Sequence, residues 1–179
     1  MILRLTLVSG EVEDFVLELK IDADSTFGDL HRLILKSCGY EETSGQRFFI
    51  CDDNWKPHTK ILLEDDGNIG IDEDIYLMDD TDLGEFLEDE GQRLAYRFDP
   101  ENRRMFLLEL TQTIFGEVIA NVGKLNRRHG EPPVQFISEE TPVVNTQPST
   151  ISEELGEEFY GEDGFEEDEF DSEGYDIME

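Results

Sequence analysis

"RLAYRFDPENRRMFLLEL", Arg93 to Leu110, decides how the chain folds. Two strand-like runs, "RLAYRF" and "MFLLELTQ", flank "DPENRR". Side chains on a strand alternate between its two faces, so Leu94, Tyr96 and Phe98 share one face and Arg93, Arg97 and Asp99 the other. Asp99-Pro100 suits the opening of a tight turn. The stretch therefore predicts a β-hairpin. It also holds Arg93, Arg97, Arg103 and Arg104, four of only 14 basic residues in a chain with 45 acidic ones. Two readings of these arginines stand side by side. They answer nearby carboxylates within the fold, or they gather an anionic ligand.

Working outward, "ILRLTLVSGEVEDFVLEL" (2–19) places two apolar-rich runs around Ser9-Gly10, a second hairpin. "DADSTFGDLHRLILKSCGY" (22–40) predicts a helix, with Asp24 or Ser25 as its cap and Asp29 in the first turn. Phe27, Leu30, Ile34 and Cys38 fall at helical spacing with Leu33 beside them, and Gly39 ends the run. "RFFIC", "KILLED" and "DIYLMDD" are further strand candidates. "TDLGEFLEDEG" predicts a short helix, with Asp82 and Glu85 in capping-box spacing. "IFGEVIANVG" either extends the last strand or begins another element. Strands mixed with two helices, without a repeating strand–helix–strand rhythm, indicate an α+β fold. The expected architecture is a compact mixed β-sheet domain with an N-terminal hairpin and helix, followed by a disordered acidic tail.

The net charge of −31 over 179 residues opposes direct contact with nucleic-acid phosphates, which needs Lys and Arg to displace counterions. It opposes docking on anionic membranes for the same reason. No apolar run approaches the ~18 residues of a membrane span, and the start lacks the order of a signal peptide. Cys38 and Cys51 have no CxxC spacing, so free thiols in a cytoplasmic protein are expected. The charge is uneven. Residues 138–179 hold 16 carboxylates and no Lys or Arg, leaving a net −15 on residues 1–137. "SEETPVVNTQPSTISEE" reads as the linker between a domain over 1–137 and the tail. In the tail Tyr160, Phe165, Phe170 and Tyr175 recur every five residues, which fits neither helix nor strand period. They are candidate docking residues for a basic, apolar groove on a protein partner; the alternative is a solubilising tail with scattered aromatics.

Chemical motifs are scarce. "LEDDGNIGIDED" fails both calcium-loop registers, since Ile69 or Gly70 falls where the pattern needs another residue. His31, His58 and His129 lack ligand spacing, and His31 beside the apolar stripe predicts a half-buried packing role. No GxSxG, P-loop or GxGxxG occurs. Trp55, the single tryptophan, lies in the polar stretch "CDDNWKPH" and is expected to fold back on the core or to act as a surface anchor. No catalytic, metal or cofactor residues are assigned.

"STFGDLHRLILKSCGY" followed by "RFFICDD" resembles the opening of the plasmid pRiA-four-b ORF-three-like family, small proteins of plasmids, insertion elements and many bacterial and archaeal genomes. Thr26, Phe27, Leu30 and His31 match its helix motif. Tyr96, Phe98 and Asp99 match a Tyr-x-Tyr-Asp run, and Gly130, Pro133, Gln135 and Phe136 a later Gly/Pro/Gln/Tyr segment. The order and spacing of these short motifs over about residues 1–137 carry the likeness. Two features depart from it. The Gly-Asp and tryptophan that follow Tyr-Asp in many members are replaced by "DPENRRMF", and a later His is absent from "GYEETSGQRF". The resemblance implies an α+β fold, a mobile-element context and a structural role for the matched residues. It implies no defined activity. The expectation is a non-catalytic interaction or accessory module; the alternative is an enzyme of unknown reaction linked to nucleic acid of mobile elements.

Overall fold

The computed structural model describes residues 1–67, 70 and 74–137. They form a mixed α+β architecture dominated by one eight-stranded sheet. In chain order the elements are β1 (Ile2–Ser9), β2 (Val16–Asp22), α1 (Phe27–Cys38), β3 (Arg47–Cys51), β4 (Pro57–Leu62), β5 (Tyr76–Leu77), a 3-10 turn (Leu83–Glu85), β6 (Arg93–Asp99), β7 (Arg104–Ile114) and β8 (Gly123–His129). The spatial order is β5-β4-β3-β6-β7-β1-β2-β8. Neighbours run antiparallel except β4 and β5.

Alternation builds the core. Leu3, Leu5 and Leu7 of β1, Leu17, Leu19 and Ile21 of β2, and Leu94, Tyr96 and Phe98 of β6 all turn to the face that α1 covers. From the helix come Phe27, Leu30 and Ile34. The β6–β7 hairpin forms as expected, pairing Tyr96 with Phe106 and Arg97 with Met105. Arg103 takes a left-handed conformation at its turn (φ 55°).

Four local expectations are corrected. Thr26, not Asp24 or Ser25, caps α1, because its backbone already stands extended and its hydroxyl meets the Asp29 N–H. "TDLGEFLEDEG" yields only a 3-10 turn: the Glu88 and Asp89 N–H groups, which a helix would turn back on Gly84 and Glu85, bond the Gln92 side-chain oxygen instead. Arg97 is buried although it lies opposite the main core, because the far face of β3–β6–β7 has its own apolar cluster, while Asp99, past a register shift in β6, is buried against Arg104 and Asn102. The chain also adds β8, a strand the pattern of "GKLNRRH" does not announce.

No helix among the described residues is long and apolar enough to cross a membrane. Residues 138–179, with Tyr160, Phe165, Phe170 and Tyr175, lie outside the described residues, as does part of the failed calcium loop.

Candidate functional site

The capping box of Thr26 and Asp29 sets the start of α1, with reciprocal hydrogen bonds of 3.2 and 3.1 Å. Phe27 and Leu30 enter the core from its first turn, and His31 follows one turn after Phe27. His31 is buried completely, not half-buried. The reason is a partner 65 residues away: the Tyr96 hydroxyl on β6 lies 2.8 Å from His31 Nδ1. Nε2 of the same ring lies 3.0 Å from Glu42 Oε2. An ionised Glu42 only accepts, so Nε2 carries the proton and Nδ1 accepts from Tyr96. Burial holds the His31 pKa below its ordinary value, with Glu42 opposing the shift. Burial drives the Tyr96 pKa well upward. The ring is therefore a neutral, single-tautomer bridge between helix, sheet and loop. A Glu–His–Tyr chain has the outline of a proton relay. Here, however, the Tyr96 and His31 side chains face the core, and only Glu42 is exposed.

A second network ties the last described segment to the loop after α1. Gly39 closes the helix at φ 71°. The Tyr40 ring stacks on Phe106 at 5.9 Å and donates its hydroxyl to the Pro133 carbonyl. The Gln135 amide accepts from Glu41 N and donates to Glu41 O, both at 2.7 Å, in the manner of a strand pairing. Gln46, fully buried, donates to the carbonyls of Glu41 and Phe98 and accepts from Thr43 N. Arg104 lies over the Phe98 ring, pairs with Asp99 at 3.2 Å and with Glu11, and donates to the carbonyls of Val134 and Gln135. Asn102 donates to both Asp99 carboxylate oxygens, its backbone N–H to Oδ1 and its side-chain amide to Oδ2, the oxygen that Arg104 also meets. Gly130 turns the chain at φ 73°, where any Cβ would lie 2.5 Å from the Asp14 carbonyl oxygen.

The motif residues Thr26, Phe27, Leu30, His31, Tyr96, Phe98, Asp99, Gly130, Pro133 and Gln135 thus fall on α1, the end of β6 and the segment crossing between them. Phe136 stays 53% exposed. Sequence reasoning missed Tyr40, Glu42 and Gln46. Their only signal is a polar loop, "GYEETSGQ", following directly on a helix stop.

The face of the sheet opposite α1 is different in kind. Phe49, Cys51, Ala95 and Leu107 form a small cluster there, flanked by Trp55 and Met105. Register continues this row from Phe49 through Ala95 and Leu107 to Val8 and Val16, crossing five strands. Paired residues share a face, which places Lys60 beside Phe49, Arg47 beside Arg97, and Arg93 beside Cys51. Arg97 lies over Phe49 at 5.0 Å and Arg93 over Trp55 at 5.1 Å. Arg93 also donates to the Asp53 carbonyl and Arg47 pairs with Asp66 at 3.3 Å. Trp55 itself sits at φ 65°, a costly conformation for a bulky residue. Its turn is held by Asp52, whose carboxylate accepts from the Asn54 and Lys56 N–H groups and is kept acidic by them. Four cations and an aromatic share this sheet face with Glu109, which lies opposite Arg93 across the β6–β7 pair and meets it at 3.6 Å.

No protein-family model matches the chain, and no curated protein matches it. Among solved structures the fold is similar to that of MM3350 from Methanosarcina mazei Go1, described as a protein of unknown function. The two are 15% identical with a TM-score of 0.51, over 66% of this chain and 65% of that one. At that identity the likeness is one of fold alone, and the match spans just under two thirds of the other protein's length.

Cys38 and Cys51 are free, and burial raises each thiol pKa to about 12. Among the described residues no group of three or more His, Cys, Asp or Glu side chains is placed to hold a metal ion.

Proposed function

We propose that the chain is a non-catalytic interaction module, an α+β body carrying an acidic-aromatic tail for a basic protein partner. The family resemblance belongs to this proposal: the matching residues converge on one structural unit, as shared architecture would require. The observation that carries the reading is the closure of that unit. His31, Tyr96, Gln46 and Gln135 direct their polar atoms at other groups of the fold. An enzyme needs groups that converge on a substrate, and the most relay-like chain here points into the core. Two features are suited to recognition: half-buried Arg47, Trp55, Lys60 and Arg93 on the sheet and, in the sequence beyond Ile137, 16 carboxylates interleaved with aromatics. Two unpaired, unreactive thiols suit a cytoplasmic setting.

The test is capture by the full-length chain, with Phe165→Ala/Phe170→Ala in the full-length chain as control. A partner with a basic surface should be retained by the first and lost by the second. Equal recovery at matched salt would overturn the tail's role. Turnover of any substrate that is abolished by His31→Gln would overturn the non-catalytic reading.

A further inference from the structure

We infer that the outer edge of β8 takes a ninth strand: an extended segment of another protein in which acidic and apolar residues alternate. This is a second docking surface, separate from the C-terminal sequence and independent of what that sequence binds.

The first observation is the edge itself. β8 runs seven residues, Gly123–His129, and closes one end of the sheet. β2 pairs with one side of its backbone. Among the described residues no strand pairs with the other side. The chain that follows does not cover it: Gly130 turns away at φ 73°, and the next segment binds the loop after α1 through Gln135. A row of unpaired N–H and C=O groups is a template for another strand. The opposite edge of the sheet is blunted by its length, since β5 has only two residues.

The second is charge. β8 carries Lys124, Arg127, Arg128 and His129 and no carboxylate, in a chain of net −31. The carboxylates around it are already engaged. Glu18 lies opposite Arg127 in the register, but Arg4 meets it at 2.8 Å and Asn126 at 3.2 Å, and Arg127 adds only attraction through space. Glu117 is held by Lys20 at 3.0 Å, and Glu131 by Arg128. Lys124 and Arg127 are exposed and form no ion pair among the described residues. Charges beyond about 8 Å are largely screened at physiological ionic strength, so a strand laid along β8 responds to these cations and not to the distant acids. The same cations exclude other occupants. Two β8 strands set side by side would bring Lys and Arg against Lys and Arg, and like charges so placed destabilise a sheet. A nucleic acid would carry its phosphates well past this edge, over a body that is acidic elsewhere.

The third is the pattern of side chains. Lys124, Arg127 and His129 pair with Lys20, Glu18 and Val16, and so share the face away from α1. Leu125 pairs with Leu19 and shares the α1 face, where it stays exposed. Val122, just ahead of the strand, is exposed as well, as are Phe115 and Val118 in the connection that leads to it. A strand added here therefore places carboxylates beside Lys124 and Arg127 on one face and apolar side chains beside Leu125 on the other. Alternation of acidic and apolar residues is what that geometry selects.

Hydrogen exchange of the full-length chain at low salt tests this, with a short synthetic peptide alternating Glu and Val as the probe. The β8 amides that β2 does not bind should exchange fast in the free chain and slow when the peptide is added. Tyr76 and Leu77 on the opposite edge should not change. Lys124→Glu/Arg127→Glu should weaken the peptide about tenfold. Exchange at β1 and β2 should be the same in that variant as in wild type, which confirms an intact sheet. The same peptide methylated at every backbone nitrogen keeps its charges but has no N–H to donate, and should leave β8 exchange as in the free chain. Equal binding of the methylated peptide would overturn strand addition. Equal binding of a peptide alternating Lys and Val would overturn the acidic partner, and the same slowing by a single-stranded oligonucleotide would overturn it in favour of nucleic acid. Slow exchange of those β8 amides before any peptide is added would show the edge already occupied. Release on dilution would then assign it to a second copy, and persistence to the chain's own C-terminal sequence; either result overturns the inference.

Discussion

The Tyr96 hydroxyl and His31 Nδ1 hold each other in the buried space between β6 and α1. Tyr96→Phe keeps the ring and removes the donor, leaving Nδ1 an unpaired acceptor in the core. Such a loss costs about 1–3 kcal/mol, and urea unfolding at neutral pH should show it. Acid should act through the same residue. His31 in the unfolded chain gains its proton near pH 6.5, while in the fold burial holds its pKa lower. Between those values the unfolded state holds more protons, so stability rises with pH in that window. The contribution is complete above about pH 6.5 and is lost as pH falls toward the folded pKa. The stability advantage of wild type over His31→Gln should therefore shrink between about pH 7.5 and 5.5; a constant advantage would contradict the neutral state of the buried ring. The alternation of Leu94, Tyr96 and Phe98 was legible in the sequence because strand geometry forces it. The full burial of His31 was not, because its partners come from a distant strand and an irregular loop that no local period encodes.

At the scale of elements, the two hairpins and α1 follow from local pattern, and the rest follows from pairing. β8 is an edge strand whose residues from Lys124 to His129 are exposed, so it has no buried face to give it a period. It exists because β2 offers it a ladder from Val16 to Ile21. Gly130 then turns the chain toward the Gln135 clasp. Gly130→Ala would force a strained φ and a contact with the Asp14 carbonyl, so a loss of about 1–3 kcal/mol is expected. Hydrogen exchange should quicken first at Glu41, whose N–H is held by Gln135. Unchanged stability and exchange would show that the segment from 130 to 137 is not what fixes the loop after α1. The short 3-10 turn makes the same point in reverse: its capping box formed, but the Gln92 side chain took the Glu88 and Asp89 N–H groups that a longer helix needs.

Across the whole molecule, charge and polar groups are sorted: a closed polar network on the α1 side, four cations on the opposite face of the sheet, and an acidic C-terminal sequence. Cys38 and Cys51, with thiol pKa values raised to about 12, should react slowly with a thiol reagent at pH near 8 in the native chain and both at once on unfolding. Fast native labelling would show that the far face of β3 opens more than the fold implies. The acidic bias and the tail aromatics were plain in the sequence. The grouping of the four cations was not, because Arg47, Lys60, Arg93 and Arg97 come together only through the register of three strands. The most direct test of the interaction-module reading is the affinity of the captured basic partner for the full-length chain and for Phe165→Ala/Phe170→Ala at matched salt. Both keep every charge. Docking by the aromatics predicts a loss of about 2 kcal/mol, roughly thirtyfold in Kd. An unchanged Kd would contradict it and reduce the tail to a carrier of charge.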